Sequence, residues 1–313
     1  MSFEHAPDLP AWLGAEMPFR RGVYRGGPYA IHFLDEGAGL PVLLQHGNPT
    51  WSYLWRKVIR RLAGTGVRVI APDLVGLGLS DKPRDAAVHT LTFHAEQIEG
   101  LVRALKLDRA TIVGQDWGGP VLGLVAARNP ELVHGAVFAN TGLAAPRRAG
   151  TLSWFHRLAN TPLISDLLFR VLNFPIPVMD RVQGDRSSIG RAEKKAYRYP
   201  LRHVRDRIAP MALARMVPTS LDHPSVEPMR QVEAWASSFP GPVRLVWGRT
   251  DPILGRGLKS VHRLFPGAAV VETQAGHFLQ EEVPEALAEA ILAVVSEVDS
   301  RQKARTAGRI RQE

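Results

Sequence analysis

The sequence predicts an α/β fold with a mostly parallel central sheet, flanking helices and a helical cap inserted before the last strands. Short apolar, β-branched runs alternate with helical patterns up to residue 141. Such alternation is typical of a parallel sheet covered on both faces. It stops at Thr141, and residues 142–218 then show helical spacing without a strand-like run. The strand pattern returns at residue 243, so the helical segment has the organisation of a lid.

Length and composition fit a large domain with an insertion. The chain has 313 residues, of which 45% are hydrophobic, and this is enough for a well-filled core. We assign residues 1–141 and 219–300 to an α/β core and residues 142–218 to the cap. Residues 301–313 form a polar, aperiodic and basic tail, which we expect to be disordered.

The predicted elements follow one another in a regular order. Core strands are expected at residues 21–24, 29–34, 41–45, 67–71, 110–113, 135–140, 243–247 and 269–271. Core helices are expected at residues 53–62, 94–105 and 284–298. One more should run from the turn after residue 116 to residue 129, and another should follow the strand at 243–247 and end at residue 264. Cap helices are expected at residues 152–158, 164–172, 192–198 and 202–216. The continuous apolar run at 41–45 indicates a strand that is buried on both faces.

Asp116 stands in the turn of a strand–turn–helix pattern. Gly114 and Gly118 lie two residues to either side of it. This is the spacing of a nucleophile elbow, in which small residues allow the backbone to turn tightly and expose one side chain. A carboxylate is already an anion at pH 7 and can attack carbon directly, whereas a serine must first lose a proton. Taken alone, Asp116 is equally well explained as a cap of the following helix.

Two further polar residues follow later strands. Asp251 comes behind the predicted strand 243–247, and His277 comes behind the strand 269–271. The ends of parallel strands meet at one edge of a sheet, where open α/β sheets place their sites. Singly, Asp251 fits a turn residue and His277 fits a surface-loop histidine. Together, in the order nucleophile, acid and histidine, the three residues predict the catalytic triad of an α/β-hydrolase fold.

Four stretches, at residues 46–56, 71–83, 114–119 and 275–282, together resemble the haloalkane dehalogenase family. The resemblance covers about residues 18 to 298. In that family, the residue after His-Gly and the residue after the nucleophile bind the departing halide. The resemblance therefore implies that Asn48 and Trp117 are the halide ligands, and that their backbone N–H groups form the oxyanion hole. Both side chains offer neutral N–H donors, which suit an anion that must later leave.

The resemblance implies hydrolytic dehalogenation of small apolar haloalkanes. Asp116 would displace the halide and form an ester, which water activated by His277 would hydrolyse, while Asp251 stabilises the imidazolium. Some members of the family keep the acid after the strand that precedes the cap, but here Asn140 occupies that position and can only support the triad. The predicted pocket residues are apolar: Trp154, Phe155, Phe169, Phe174, Leu143 and Phe278. This lining favours an uncharged substrate, since a halo-acid would call for an arginine clamp.

Three other functions fit parts of the pattern. An epoxide hydrolase shares the aspartate nucleophile and the His–Asp pair but uses lid tyrosines to stabilise an alkoxide. The cap offers only Tyr197 and Tyr199, which converge poorly on one helix because they are two residues apart. A cofactor-free oxygenase of the luciferin type remains compatible with the sequence. A non-catalytic binding protein of this fold would be expected to have a damaged triad.

Composition limits the cofactors and partners. The absence of cysteine excludes disulfides and thiolate chemistry, and the eleven histidines show no metal-binding spacing, so we expect neither a metal nor a cofactor. The net charge of +9 is concentrated around residues 181–207 and in the tail, without a nucleic-acid-binding motif. No apolar run approaches the ~18 residues of a membrane span, and no signal pattern precedes the core. We predict substrate, water and halide ion as partners, no nucleic acid, no membrane, and a cytoplasmic location.

Overall fold

A computed structural model describes residues 2–148 and 154–310, with side chains described for 2–148 and 156–304. These residues form a sheet of nine strands in the order β1-β2-β3-β5-β4-β6-β7-β8-β9. The strands are β1 Ser2–His5, β2 Arg21–Arg25, β3 Ile31–Gly37, β4 Leu40–Gln45, β5 Val67–Pro72, β6 Ala110–Gln115, β7 Val133–Ala139, β8 Val243–Gly248 and β9 Ala269–Thr273. Strands β1, β2 and β3 pair antiparallel with one another, and β3 pairs antiparallel with β5. The remaining pairs, in the spatial order β5-β4-β6-β7-β8-β9, are parallel.

The helices form layers on the sheet. They are α1 Ala11–Gly14, α2 Arg56–Leu62, α3 Leu91–Ala104, α4 Gly118–Arg128, α5 Trp154–Ala159, α6 Arg191–Arg198, α7 Ile208–Arg215, α8 Val226–Ser238, α9 Leu258–His262, α10 Leu279–Glu282 and α11 Pro284–Ile310. Helices α3, α4 and α8 pack in one group on β4, β6 and β7, and α11 packs on β6, β7 and β8 together with α2. Short 3-10 segments in the core cover Ser52–Trp55, Ala86–Val88 and Gly255–Gly257. This is the α/β-hydrolase fold that the sequence predicts.

The central strands are buried on both faces. Every residue of β6 is buried, as are Val42, Leu43 and Leu44 of β4, because helices cover both sides. Several elements have no counterpart among the predicted ones, namely β1, α1, α8 and α10. Strand β1 is exposed along its whole length and so carries no apolar pattern, and α8 has Pro228 in its first turn, where a helix tolerates proline.

The described residues between β7 and α8 form short helical segments and loops, and none of them is in a strand. Besides α5, α6 and α7 it contains a π-helical segment, Asp166–Val171, and 3-10 segments at Ile176–Val182, Arg186–Ser188, Tyr199–Leu201 and Val204–Asp206. The helix predicted at residues 202–216 is shorter, because Arg207 has non-helical backbone angles and α7 begins after it. None of the described helices is both long enough and apolar enough to cross a membrane.

Helix α11 extends through much of the basic tail. The backbone is helical as far as Ile310, whereas disorder was the expectation for residues 301–313. Within this extension Arg301 bonds to Glu297 at 2.7 Å and Lys303 lies 2.7 Å from Asp299. Such pairs four residues apart stabilise a helix, and the sequence contains them across the boundary between core and tail.

Cap and core are joined by a buried group of charged and polar side chains. Glu281 of α10 accepts hydrogen bonds from Arg56 of α2 at 2.6 Å and 3.0 Å. The hydroxyl of Tyr197, in α6 of the cap, donates to the same carboxylate at 2.6 Å, and Lys57 lies 2.9 Å from it. Burial raises the pKa of Tyr197 well above its usual value, so the phenol is a neutral donor. The pairing compensates the cost of burying these charges.

Candidate active site

Asp116 lies in the sharp turn between β6 and α4. Its φ of 52° is in the left-handed region, which a residue other than glycine adopts only when the surroundings impose it. Its N–H donates to the Asn140 carbonyl at 3.0 Å, and its own carbonyl accepts from the Gly119 N–H at 3.2 Å. The Thr141 hydroxyl donates to the same carbonyl at 2.6 Å. These bonds hold the strained turn and direct the carboxylate out of the sheet.

Two glycines let the backbone approach this turn closely. A Cβ atom at Gly47 would lie 2.2 Å from Asp116 Oδ1, and a Cβ atom at Gly118 would lie 2.1 Å from the Gln45 carbonyl oxygen. Both distances are far below van der Waals contact. The loop after β4 therefore reaches the carboxylate only because residue 47 has no side chain.

The Asp116 carboxylate is held by backbone donors. The Asn48 N–H donates to Oδ1 at 2.7 Å, and the backbone N–H of Trp117, the next residue, also favours the charged form of this carboxyl group. Burial raises the pKa of Asp116 above its usual value, and the charge of His277 and the two N–H groups offset part of this rise. Backbone N–H groups beside a carboxyl carbon are the kind of donor from which oxyanion holes are built.

His277 lies between the two acidic residues. Its Nε2 is 3.7 Å from Asp116 Oδ2, and its Nδ1 is 2.9 Å from Asp251 Oδ2. All three side chains are largely buried. Burial alone would lower the pKa of His277, but the carboxylates of Asp251 and Asp116 together raise it. Burial would conversely raise the pKa of Asp251, but His277 lowers it, so the structure brings the predicted triad residues together as a coupled group.

Asn140 fixes the orientation of Asp251. Its side-chain amide donates to Asp251 Oδ2 at 2.7 Å and to the Gly276 carbonyl at 3.2 Å. Its Oδ1 accepts from the Gly248 N–H at 2.8 Å. The side chain thus joins the ends of β7 and β8 to the loop that carries His277, which is a supporting position.

Gln115 is a contact residue that the sequence analysis did not single out. Its Nε2 donates to the His277 carbonyl at 3.0 Å and lies 3.5 Å from the ring Nε2. In the sequence, only its position next to Asp116 indicates a role in the site. Alternation along β6 would place the two neighbouring side chains on opposite faces of the sheet, so the contact with His277 was not predicted. It holds the backbone of the histidine loop close to the elbow.

Comparison with known proteins identifies the family. The profile of the alpha/beta hydrolase fold matches residues 41–171. A haloalkane dehalogenase from Mycobacterium marinum is 33% identical over 272 residues, which cover 84% of this chain and 88% of that protein. Haloalkane dehalogenase 2 of Mycobacterium tuberculosis is 32% identical over 93% of this chain and 99% of its own. The chain belongs to the haloalkane dehalogenase family. It is therefore a hydrolase that acts on carbon–halide bonds.

Solved dehalogenase structures share the fold. The haloalkane dehalogenase DatA from Agrobacterium tumefaciens C58 superposes with a TM-score of 0.80 at 26% identity, covering 89% of this chain and 97% of that one. The haloalkane dehalogenase DbeA from Bradyrhizobium elkani USDA94 gives a TM-score of 0.80 at 24% identity, with 89% and 98% coverage. The resemblance seen in the sequence motifs is thus confirmed at the level of the family.

Of the residues predicted as halide ligands, Asn48 bonds to Asp116 through its backbone, and Trp117 follows Asp116 in the chain. The Asn48 amide donates from Nδ2 to the carbonyl of Pro210 in α7 at 2.9 Å, and its Oδ1 is buried without a partner. An amide nitrogen carries two hydrogens, so one of them remains free beside this contact. Trp117 is 8% exposed, and its indole N–H has no acceptor among the described residues. The contact between Asn48 and the cap helix was not predicted.

The predicted pocket residues of the dehalogenase lie in different places. The ring of Phe278 packs edge-on against His277, with centroids 4.7 Å apart. Phe169 and Phe174 pack together at 5.6 Å in a small cluster of the cap. Leu143 is fully buried in the main core. The side chains of Trp154 and Phe155 lie outside the described residues.

The cap of the dehalogenase is bonded directly to the histidine loop. The His277 N–H donates to the Val182 carbonyl at 2.8 Å. The Gln183 side chain accepts from the Phe278 N–H at 2.9 Å and donates to its carbonyl at 3.2 Å. A Cβ atom at Gly276 would lie 2.2 Å from the Val182 oxygen, so a glycine is needed for this approach. Among the described residues no cluster of three or more His, Asp or Glu is arranged to hold a metal ion.

Proposed function

We propose that this protein hydrolyses small apolar haloalkanes to the alcohol and the halide ion, with Asp116 as nucleophile and no cofactor. One observation carries the proposal: the two oxygens of the Asp116 carboxylate have different surroundings. Oδ1 accepts from the Asn48 N–H at 2.7 Å, whereas Oδ2 faces His277 Nε2 at 3.7 Å, beyond hydrogen-bond distance. One oxygen is anchored and the other keeps its electron pairs for attack.

In the first step Asp116 Oδ2 attacks the carbon that carries the halogen. A carbon–oxygen bond forms as the carbon–halogen bond breaks, and the bonding pair leaves with the halide. The negative charge that develops there is stabilised by the free amide hydrogen of Asn48 and by the indole N–H of Trp117. Both donors are neutral, so they bind the ion more loosely than a fixed cation would, which allows it to leave.

In the second step the alkyl ester of Asp116 is hydrolysed. His277 removes a proton from water, whose oxygen attacks the carboxyl carbon, and the oxyanion is held by the N–H groups of Asn48 and Trp117. The bond between the carboxyl carbon and the alkoxy oxygen then breaks, the alcohol leaves with the proton that His277 returns, and the Asp116 carboxylate is regenerated. Asp251 stabilises the imidazolium, and Asn140 holds Asp251 in place. The 3.7 Å gap between Nε2 and Asp116 suits a base that serves a water molecule.

The cap tyrosines argue against epoxide hydrolysis. The Tyr197 hydroxyl is buried and donates to Glu281, and Tyr199 packs edge-on against Trp12, 6.0 Å between centroids, with Arg202 over its ring. Both tyrosines are thus engaged away from Asp116. An alkoxide leaving group would lack the acidic donors that this reaction needs.

The decisive experiment combines product analysis with trapping. The protein is incubated with 1-bromobutane and, separately, with styrene oxide, and bromide and diol are measured. We expect bromide and no diol. A diol without bromide would establish the epoxide hydrolase instead, and the absence of both products would favour the luciferin-type oxygenase or the non-catalytic binding protein.

Trapping tests the covalent step itself. The variant His277→Phe retains the nucleophile but lacks the base, so a butyl ester should accumulate on the peptide that contains Asp116 and be visible by mass spectrometry. The double variant Asp116→Asn with His277→Phe is the matched control and should remain unmodified. An unmodified His277→Phe protein after prolonged exposure would rule out the ester.

A further inference from the structure

The cap carries a row of exposed apolar side chains, which we call the apolar ridge. Its members are Leu163, Ile164, Leu167, Val171, Leu172 and Val204, with exposed fractions between 45% and 83%. A single exposed leucine is ordinary, but a contiguous group of this kind marks a surface that binds something. None of these residues contributes to the candidate active site.

Backbone geometry places most of the ridge on one helical face. The Leu167 N–H donates to the Leu163 carbonyl at 3.0 Å, and the Leu172 N–H donates to the Leu167 carbonyl at 3.0 Å. Side chains at this spacing lie above one another. The opposite side of the segment buries Ser165 and Phe169. The segment thus turns most of its large aliphatic side chains outward, opposite to the usual arrangement for a surface helix.

The buried side chain of Arg207 connects the segment that carries Val204 to the rest of the ridge. Arg207 donates to the carbonyls of Arg170 at 2.8 Å and Val171 at 2.9 Å. It also donates to the carbonyls of Leu201 at 2.7 Å and Arg202 at 2.9 Å. This clamp fixes the segment that carries Val204 against the segment that carries Val171, so the ridge is a preformed surface.

The part of the cap that carries the ridge is basic. Residues 154–216 contain twelve Lys and Arg and five Asp and Glu, so the segment carries +7 of the chain's net +9. Arg202 and Arg205 lie two residues and one residue from Val204, and both are exposed. The only carboxylate near Arg205 among the described residues is that of Asp206, at 3.8 Å, a distance at which exposed charges interact weakly.

We propose that the apolar ridge and its arginines dock the cap onto the surface of an anionic phospholipid bilayer. Aliphatic side chains enter the boundary between head groups and acyl chains, while arginines contact lipid phosphates. A second copy of this chain fits less well, because two such faces would bring like charges together. The prediction of no membrane partner rests on the lack of a spanning segment, and attachment to the surface does not need one.

The test is co-sedimentation with lipid vesicles. The wild-type protein should bind vesicles of phosphatidylcholine mixed with phosphatidylglycerol, should bind phosphatidylcholine alone more weakly, and should dissociate as salt rises. Replacing Arg202 and Arg205 by Glu should weaken binding by about fivefold or more per cation. The exposed arginines of α3 and α8 provide the matched control, Arg103→Glu with Arg230→Glu, which should bind as the wild type does.

A second set of variants tests the apolar contact. Leu163→Ser, Leu167→Ser and Val171→Ser together should weaken binding by about tenfold or more. The control Val271→Ser, at an exposed position of β9, should leave binding unchanged. Bromide release and circular dichroism check that each variant is folded, and vesicle binding does not depend on the proposed reaction. Absence of wild-type binding, or equal binding by ridge and control variants, would overturn the proposal. Ridge-dependent self-association in analytical ultracentrifugation, without vesicle binding, would assign the ridge to a second copy instead.

Discussion

Asn140 donates a 2.7 Å hydrogen bond to Asp251 Oδ2, the same oxygen that lies 2.9 Å from Nδ1 of His277. The acid is therefore bonded both to the histidine and to the end of β7. In addition, the Ile253 N–H donates to Asp251 Oδ1 at 2.7 Å. An amide donor on a carboxylate stabilises its charged form and fixes its orientation.

We expect Asn140→Ala to slow ester hydrolysis by about tenfold to a hundredfold, because the bond from Asn140 to Asp251 would be lost and the imidazole of His277 would be less firmly held. Burst kinetics of bromide release measure this: the first turnover should stay fast while the steady state slows. Asn129→Ala, at the end of α4 away from the triad, is the control. Equal slowing of burst and steady state would place the effect of Asn140 in the displacement step.

Trp117→Phe keeps an aromatic ring and removes the indole N–H. We expect the displacement step to slow by about a hundredfold, since a preorganised donor to a developing charge has an effect of this size. Rapid-quench measurement of the first bromide equivalent reports this step. Trp235→Phe on α8 is a matched control, because Trp235 is also 8% exposed and lies outside the site. If the burst of Trp117→Phe is unchanged, Trp117 does not bind the halide.

Activity should fall on the acidic side, because His277 must be neutral to accept a proton from water. Its pKa is raised by Asp251 and Asp116 against the effect of burial, so the loss should begin above the ordinary histidine range as pH decreases. Below the raised pKa of Asp116 the nucleophile is also protonated. A pH profile of steady-state bromide release measures this loss of activity at acidic pH. In Asp251→Asn, whatever rate remains should show its midpoint at lower pH; a midpoint that does not move would mean that Asp251 does not set the pKa of His277.

The junction between cap and core should contribute strongly to stability. Glu281→Gln removes the nearest counter-charge of the buried Arg56, whose other carboxylates, those of Glu16 and Glu193, lie 3.8 Å and 4.0 Å away. We expect a loss of about 3 kcal/mol in the free energy of unfolding. Tyr197→Phe removes a hydrogen bond to a charged group and should cost about 1.5 kcal/mol. Urea titrations followed by circular dichroism give both values. Glu297→Gln, which breaks an exposed pair with Arg301, should cost less than about 1 kcal/mol. Similar losses in the exposed and buried variants would contradict this account.

Features that depend on local pattern were predictable from the sequence. Strands such as β4 and β6 are buried on both faces, so their apolar runs are visible directly, and the spacing of glycines around Asp116 predicts the elbow. The chain order of Asp116, Asp251 and His277 predicts their proximity because strand ends share an edge of the sheet.

Features that depend on contacts between distant segments were not predictable. Gln183 bonds to Phe278 across 95 positions, and Tyr197 bonds to Glu281 across 84. Neither pair has a spacing signal, since each contact exists only once the cap has folded onto the core. The extension of α11 was missed because composition favours disorder, whereas pairs such as Arg301 with Glu297 favour a helix.

The hydrogen bond from Asn48 to the carbonyl of Pro210 links the proposed halide ligand to helix α7. The amide that we propose to bind the departing ion is therefore also bonded to a helix of the cap. Any outward movement of α7 that opens an exit would take an acceptor away from this amide and change its orientation toward the ion. On the proposed mechanism, release of the halide and movement of α7 are therefore coupled through this one side chain.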